Sequence, residues 1–253
     1  MPMRPFRPLP LALAIALLGL PFGCSGGTGP GWSTKLPMDP AAGGARLSVT
    51  AWRGKVRLRN STTGRIEVQA RGSSPLPWEK TVLVRNDPLA LVVDERAKDA
   101  DLDLDIAVPP GATITCACAE ADVSATGSWD RLSITTAGAI DARVDAASGL
   151  LKSQRGDVAL VALGPGPKGE MRAETMSGNV AVTLPAAWNG LLNFQTQTGK
   201  LDVPPHGNLS TKWDEAKRNA VGRMGPEHEK GAPALAVVWG VSATGDVSFR
   251  IAG

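Results

Sequence analysis

With three cysteines and two histidines in 253 residues, the chain confines thiol, imidazole and metal chemistry to a few places. His206 and His228 share one polar stretch, where Glu227 or Glu229 could add a carboxylate to two imidazoles around a zinc ion. The stretch lacks the helical His-Glu-x-x-His spacing that sets two imidazoles on one face, so a solvated loop is expected there instead. Beyond the export signal and tether no Gly-x-Ser-x-Gly elbow presents a nucleophile, and neither histidine stands in a strand or helix pattern that would serve one. The sequence therefore predicts no catalytic residues, no metal ligands and no cofactor.

Two denser groupings remain. Asp101, Asp103 and Asp105 alternate with Leu102, Leu104 and Ile106, which puts three carboxylates on one strand face. Calcium could use such oxygens, but no Gly-Gly-x-Gly-x-Asp repeat accompanies them, and a charged outer face is the expected role. Cys116 and Cys118 sit two apart in an extended stretch and would point the same way. A soft metal or a strained short-loop disulfide could use that pair, while small inward fillers is the expectation, since no further His or Cys lies nearby. Of the seven tryptophans, Trp129, Trp188 and Trp213 are the candidate binding surface, because an exposed indole stacks on sugar rings or anchors a protein partner. Packing at coil ends and turns is the alternative for all three.

The first residues carry Arg4 and Arg7, an apolar run from Leu9 to Leu20, and small residues ending at Gly23-Cys24. This reads as an export signal over residues 1–23, with a run too short for a membrane-spanning helix, which needs roughly 20 residues. Leu20-Pro21-Phe22-Gly23-Cys24-Ser25 resembles a bacterial lipobox, with Pro21 where leucine is usual, so Cys24 is the expected lipid anchor. Residues 24–44, rich in Gly, Ser and Pro, read as a flexible tether to a membrane surface. Removing Arg4 and Arg7 lowers the 27 basic residues to 25, which nearly balance the 24 acidic ones and leave no electrostatic footprint for nucleic acid. An envelope location follows as the expectation.

From residue 45 onward, short alternating segments dominate, and a unit recurs: a small residue, a polar residue, then apolar-x-apolar. It starts at Ala121, Gly138, Gly156, Gly178, Gly199 and Gly245, with spacings of 17, 18, 22, 21 and 46 residues. The glycine suits a tight turn with positive φ. Val158 and Leu160, Val180 and Val182, Leu201 and Val203, and Val247 and Phe249 would then point inward. A second extended piece precedes each turn, as in Leu132-Ser133-Ile134 and Leu192-Asn193-Phe194. One such unit cannot bury its apolar side alone, so neighbours must stack. The predicted fold is all-β: a single-stranded, β-helix-like solenoid over residues 45–253, with a polar insertion at 204–231. Independent hairpins in a β-sandwich are the rival.

Leu104-Asp105-Ile106-Ala107-Val108-Pro109-Pro110-Gly111-Ala112, followed by the Gly-Asp-Val-type repeats, resembles the putative-adhesin family of bacterial envelope proteins. That family is also called toastrack, or domain of unknown function 4097. Lys217 to Gly222, ahead of Thr244-Gly245-Asp246-Val247, is similar to its closing segment, whereas Ala121 and Ala139 depart from its pattern. The resemblance implies a β-solenoid and brings no catalytic residues. The expected function is a non-enzymatic envelope module for contact with a protein or a glycan. A structural or sensory scaffold docking an envelope membrane protein is one alternative. A carbohydrate-active β-helix enzyme is another, although Asp141, Arg143, Ala159, Ala181 and Asp202 give its outward positions a mixed character.

Overall fold

The structure, a computed structural model, describes residues 32–38, 45–73, 76–86, 89–164, 169–207, 209–225 and 236–252. The expected export signal, Cys24, His228, Glu227 and Glu229 lie outside them.

The strands in chain order are β1 (Trp32–Met38), β2 (Arg46–Ala51), β3 (Gly54–Asn60), β4 (Ile66–Gly72), β5 (Val82–Asn86), β6 (Leu89–Val93) and β7 (Leu102–Val108). They continue with β8 (Thr113–Cys118), β9 (Asp122–Thr136), β10 (Ile140–Ser153), β11 (Val158–Ala162), β12 (Glu170–Thr175), β13 (Val180–Pro185) and β14 (Gly190–Thr196). The last are β15 (Leu201–Asp202), β16 (Leu209–Trp213), β17 (Asn219–Met224), β18 (Ala236–Ser242) and β19 (Val247–Ala252). Among the described residues one four-residue α-helix, α1 (Trp78–Thr81), precedes β5.

Pairing sorts these strands into two stacks. The first sheet runs β5–β6–β2–β8–β9–β10–β12–β18–β14–β17–β16, using the C-terminal halves of β9 and β10. The second runs β1–β4–β7–β3–β9–β10–β11–β13–β19–β15, using their N-terminal halves. Each coil thus gives one strand to each sheet, and the coils stack in parallel, so the fold is an all-β, open solenoid. Antiparallel strands cover its ends: β4 and β5 at one, the β16–β17 hairpin at the other.

Alternation places the core between the sheets. Val158, Leu160, Val180, Val182, Val247 and Phe249 are buried from the second sheet, and Leu132, Ile134, Leu192 and Phe194 from the first. The Phe194 and Phe249 rings meet across the interior at 5.3 Å between centroids. Leu201 and Val203 are only partly buried, because β15 is the two-residue end of its sheet. Cys116 is buried in this core, and Cys118 is half-buried at its edge.

Coil order in space departs from coil order in sequence. The coil β2–β3 lies between β6–β7 and β8–β9, and the coil β18–β19 lies between β12–β13 and β14–β15. Both are held by backbone ladders on two sides. This accounts for the doubled last spacing: after β15 the chain builds the β16–β17 cap, then returns to insert one coil inward.

The turns from first to second sheet are built differently from the expectation. Gly138, Gly156, Gly178, Gly199 and Gly245 do not have positive φ; that conformation belongs to others, such as Gly111 in the β7–β8 turn, at 73°. These five are glycine because the turns lie directly on one another. A Cβ at Gly178 would sit 2.2 Å from the Gly156 carbonyl oxygen, and one at Gly245 would sit 1.9 Å from that of Gly178.

A buried hydroxyl at the end of β9, β10, β12, β14 and β18 ties these turns together. Ser242 Oγ donates to Gly178 O at 2.8 Å and accepts from Gly245 N at 2.8 Å. Thr136, Ser153, Thr175 and Thr196 repeat the pattern, donating to the turn below and accepting within their own. Beside this column runs another, in which a side-chain carbonyl or carboxylate accepts from the next coil's backbone. Asn179 N donates to Asp157, Asp246 N to Asn179, and Lys200 N to Asp246, at 2.7 to 3.0 Å. The polar residue after Gly156, Gly178 and Gly245 is therefore an inter-coil acceptor.

Two further expectations change. Trp32–Met38, within the stretch read as tether, forms β1 and pairs along its whole length with β4. The polar insertion, where a solvated loop is expected, holds the β16–β17 hairpin. Its turn has Lys217 at a φ of 54°, and Asp214 Oδ1 accepts from the backbone of Arg218 and Asn219.

Ser242→Ala removes two buried hydrogen bonds and leaves a carbonyl and an N–H unpaired between stacked turns. A loss of about 2–3 kcal/mol in urea unfolding is expected, against less than about 0.5 kcal/mol for Thr135→Ala on the exposed side of the same sheet.

Candidate functional site

The outer side of the first sheet changes character along the stack. Around β2, β8 and β9 its outward residues are mostly small and hydroxylated, as at Ser48, Thr50, Thr115, Ser133 and Thr135, with Arg46 and Arg131 at one end of the strands. From β10 to β17 they become large. Leu150, Arg172, Trp239, Asn193 and Val221 follow one another across β10, β12, β18, β14 and β17 in a single register line.

Trp239 stands at the middle of this line, with Val237 and Val241 two positions away on the same face of β18. Leu191, in register with Val237, is 39 % exposed, and Val221 is 47 % exposed. The Trp239 N–H is buried and finds no acceptor among the described residues, so the half-buried side chain presents ring carbon outward rather than a donor. The Arg172 guanidinium lies 5.3 Å from the ring centroid, a cation–π contact. Glu170 and Glu174 hold that guanidinium from either side along β12. Asn193 and Gln195 border the ring across β14. The result is an apolar, aromatic strip edged by a guanidinium, two carboxylates and two amides.

This face was not found from sequence, because LAVVWGVS reads as an ordinary strand and alternation alone does not say which side is solvent. Of the three tryptophans singled out, Trp129 and Trp188 are buried, at 2 % and 1 % exposure. They fill corners where the chain passes from the second sheet back to the first, and Gly190 leaves the room that the Trp188 ring occupies. Burial removes both from any contact surface. Trp213 is 39 % exposed, but its register with Ala220 and Phe194 puts it on the inner side of the cap, opposite Trp239.

The second sheet carries a shallow depression of about 310 Å³, lined in part by Lys55, Arg57, Arg71, Asp103, Asp105 and Asp141. Two of its carboxylates have partners on the neighbouring strand. Asp105 pairs with Arg59 at 2.8 Å and with Arg57 at 3.6 Å, and Asp103 accepts from the Lys55 backbone. The aspartate run thus forms a charge-balanced face, and no cluster of three or more metal-ligating side chains occurs among the described residues. His206 is exposed in the segment after β15.

No family model matches the chain, and no curated protein does. Among solved structures, the chain resembles one titled a putative cell adhesion protein from Clostridium sporogenes. The TM-score is 0.55 at 11 % identity, over 88 % of this chain and 100 % of that one. Another, titled a putative adhesin from Bacteroides fragilis, aligns over 89 % of this chain and all of its own, with a TM-score of 0.30 at 12 % identity. At such identity the first likeness establishes a shared fold.

A double-mutant cycle between Arg172→Ala and Trp239→Ala, read by chemical unfolding, should give a coupling of about 0.5–1 kcal/mol, as expected for a solvent-accessible cation–π pair.

Proposed function

We propose that this protein is a non-enzymatic cell-envelope module of the adhesin type. Its contact surface is the outer face of β12, β18, β14 and β17, and its ligand is a glycan chain. The observation that carries this reading is the strip centred on Trp239: a half-buried indole offering ring carbon, edged by Arg172, Glu174, Asn193 and Gln195. A pyranose has the complementary make-up, with one face of C–H groups and a rim of hydroxyls that exchange hydrogen bonds with planar polar side chains. A row of neighbouring strands about 4.8 Å apart suits an extended chain of such units better than a compact molecule.

Three further features support the proposal. The fold is shared with a protein titled a putative cell adhesion protein. The export signal at 1–23, and Cys24 as a lipid anchor, would tether the solenoid at a membrane surface. The surface carboxylates Asp105, Asp202 and Glu174 are each engaged by an arginine in an ion pair rather than standing free toward a substrate.

A second reading has an observation of its own. Leu191 and Val221 are more exposed than Trp239, and an apolar pair of that kind suits a protein partner, such as an envelope membrane protein docked on this scaffold.

Binding to a panel of envelope polysaccharides, measured by calorimetry, separates the two. Trp239→Ala should weaken glycan binding roughly tenfold or more with unchanged folding, while Leu191→Asp with Val221→Asp should weaken it far less. Absence of glycan binding, together with capture of one envelope protein that the double Asp variant abolishes, would transfer the surface to the second reading.

A further inference from the structure

Cys116 and Cys118 end β8 on its inward side, with their Sγ atoms 3.5 Å apart and both thiols free. Cys116 is 1 % exposed, whereas Cys118 is half-buried and so is the sulfur that solvent species reach first. Their position in the stack is particular. Cys118 is in register with Ala51, the last residue of the inserted strand β2. The turn that follows is bonded to the same coil, through Ala119 N to Ala51 O at 3.0 Å and Glu120 N to Trp52 O at 2.7 Å. The next coil takes hold of that turn in its own right, where Thr136 Oγ1 donates to Ala121 O at 2.6 Å.

We propose that Cys116 and Cys118 are a modification site: a dithiol that thiol–disulfide exchange converts to an intramolecular disulfide, fixing the turn that joins the inserted coil β2–β3 to the regular stack. The oxidant is a disulfide of a small thiol or of a thiol oxidase. The Cys118 thiolate attacks one of its sulfurs, a mixed disulfide forms, and the first thiolate leaves. Cys116 then gives up its proton to solvent and attacks the Cys118 sulfur, expelling the second thiolate. Two protein thiols lose two electrons and two protons, and the oxidant becomes two thiols.

The geometry sets this order. Only Cys118 is open to the first attack, and the two sulfurs need to close by about 1.5 Å to reach a bonding distance of about 2.05 Å. Rotation of two side chains already on one side of a strand end supplies much of that. The thiols also differ in the sense required. A hydrogen bond from Cys116 holds the Cys118 thiol below the usual range, while the same contact and burial push Cys116 well above it. If the export signal operates, the chain enters a compartment where such disulfides persist.

Tryptic cleavage after Lys98 and Arg131 gives one peptide that holds both cysteines and excludes Cys24. The folded protein, equilibrated in glutathione buffers of rising oxidised fraction and then alkylated, should yield this peptide two hydrogens lighter and unalkylated. Doubly alkylated peptide across the whole range would overturn the proposal. Cys116→Ala should accumulate a glutathione adduct at Cys118, while Cys118→Ala should remain a free thiol; equal adduct formation in both variants would remove the assigned order. Hydrogen exchange at residues 119–121 should slow several-fold on oxidation, and unchanged exchange would refute the fixing of the turn.

Discussion

The backbone of one turn rests against the carbonyl of the turn beneath it, and the rest of the solenoid is arranged around that contact. At Gly178 and Gly245 no Cβ can be accommodated, so the turns approach as closely as the strands they join. Close stacking brings a second requirement. Carbonyls and N–H groups inside the pile are cut off from water, and each would cost about 1–3 kcal/mol if unpaired. The buried hydroxyls of Thr136, Ser153, Thr175, Ser242 and Thr196 meet it by linking each turn to the one below. Only then can the apolar pairs on both sheets come into register as one interior.

This constraint shows how much of the fold could be read beforehand. The Gly-polar-apolar-x-apolar units marked the coils, and their apolar residues from Val158 to Val182 are buried as the alternation required. The reason for the glycine was different, however. Positive φ and close approach leave the same residue in a sequence, and only stacked neighbours tell them apart. A Ser or Thr three positions before the glycine, as in Ser153 and Gly156 or Ser242 and Gly245, was a visible signal that periodicity of apolar residues passes over.

Spatial order could not be read at all. The strands β13 and β19 carry nearly the same pattern as β11, and nothing local in a repeat states which repeat lies next to it. The insertion of β18–β19 is instead specified by fit at particular contacts. Gly240 leaves space for the Phe194 ring and the Val182 side chain on either side of the interior, and Asn179 and Asp246 complete the acceptor column in the order 157, 179, 246, 200.

The candidate binding face is a product of that same insertion. Arg172 and Asn193 belong to consecutive coils and would be direct neighbours in a simple solenoid, with no aromatic residue between them. The returning strand β18 separates them and places Trp239 in the gap, in register with both. An inserted coil is bonded along two edges, so a ring mounted on it is held by a more constrained backbone than one on an edge strand would be. Trp213, on the outermost strand of the cap, shows the contrast: it is similarly aromatic and 39 % exposed, yet among the described residues its strand has a partner on one side only. A surface that must hold a flat ring against a ligand gains from the first situation, because less motion has to be frozen out when contact is made.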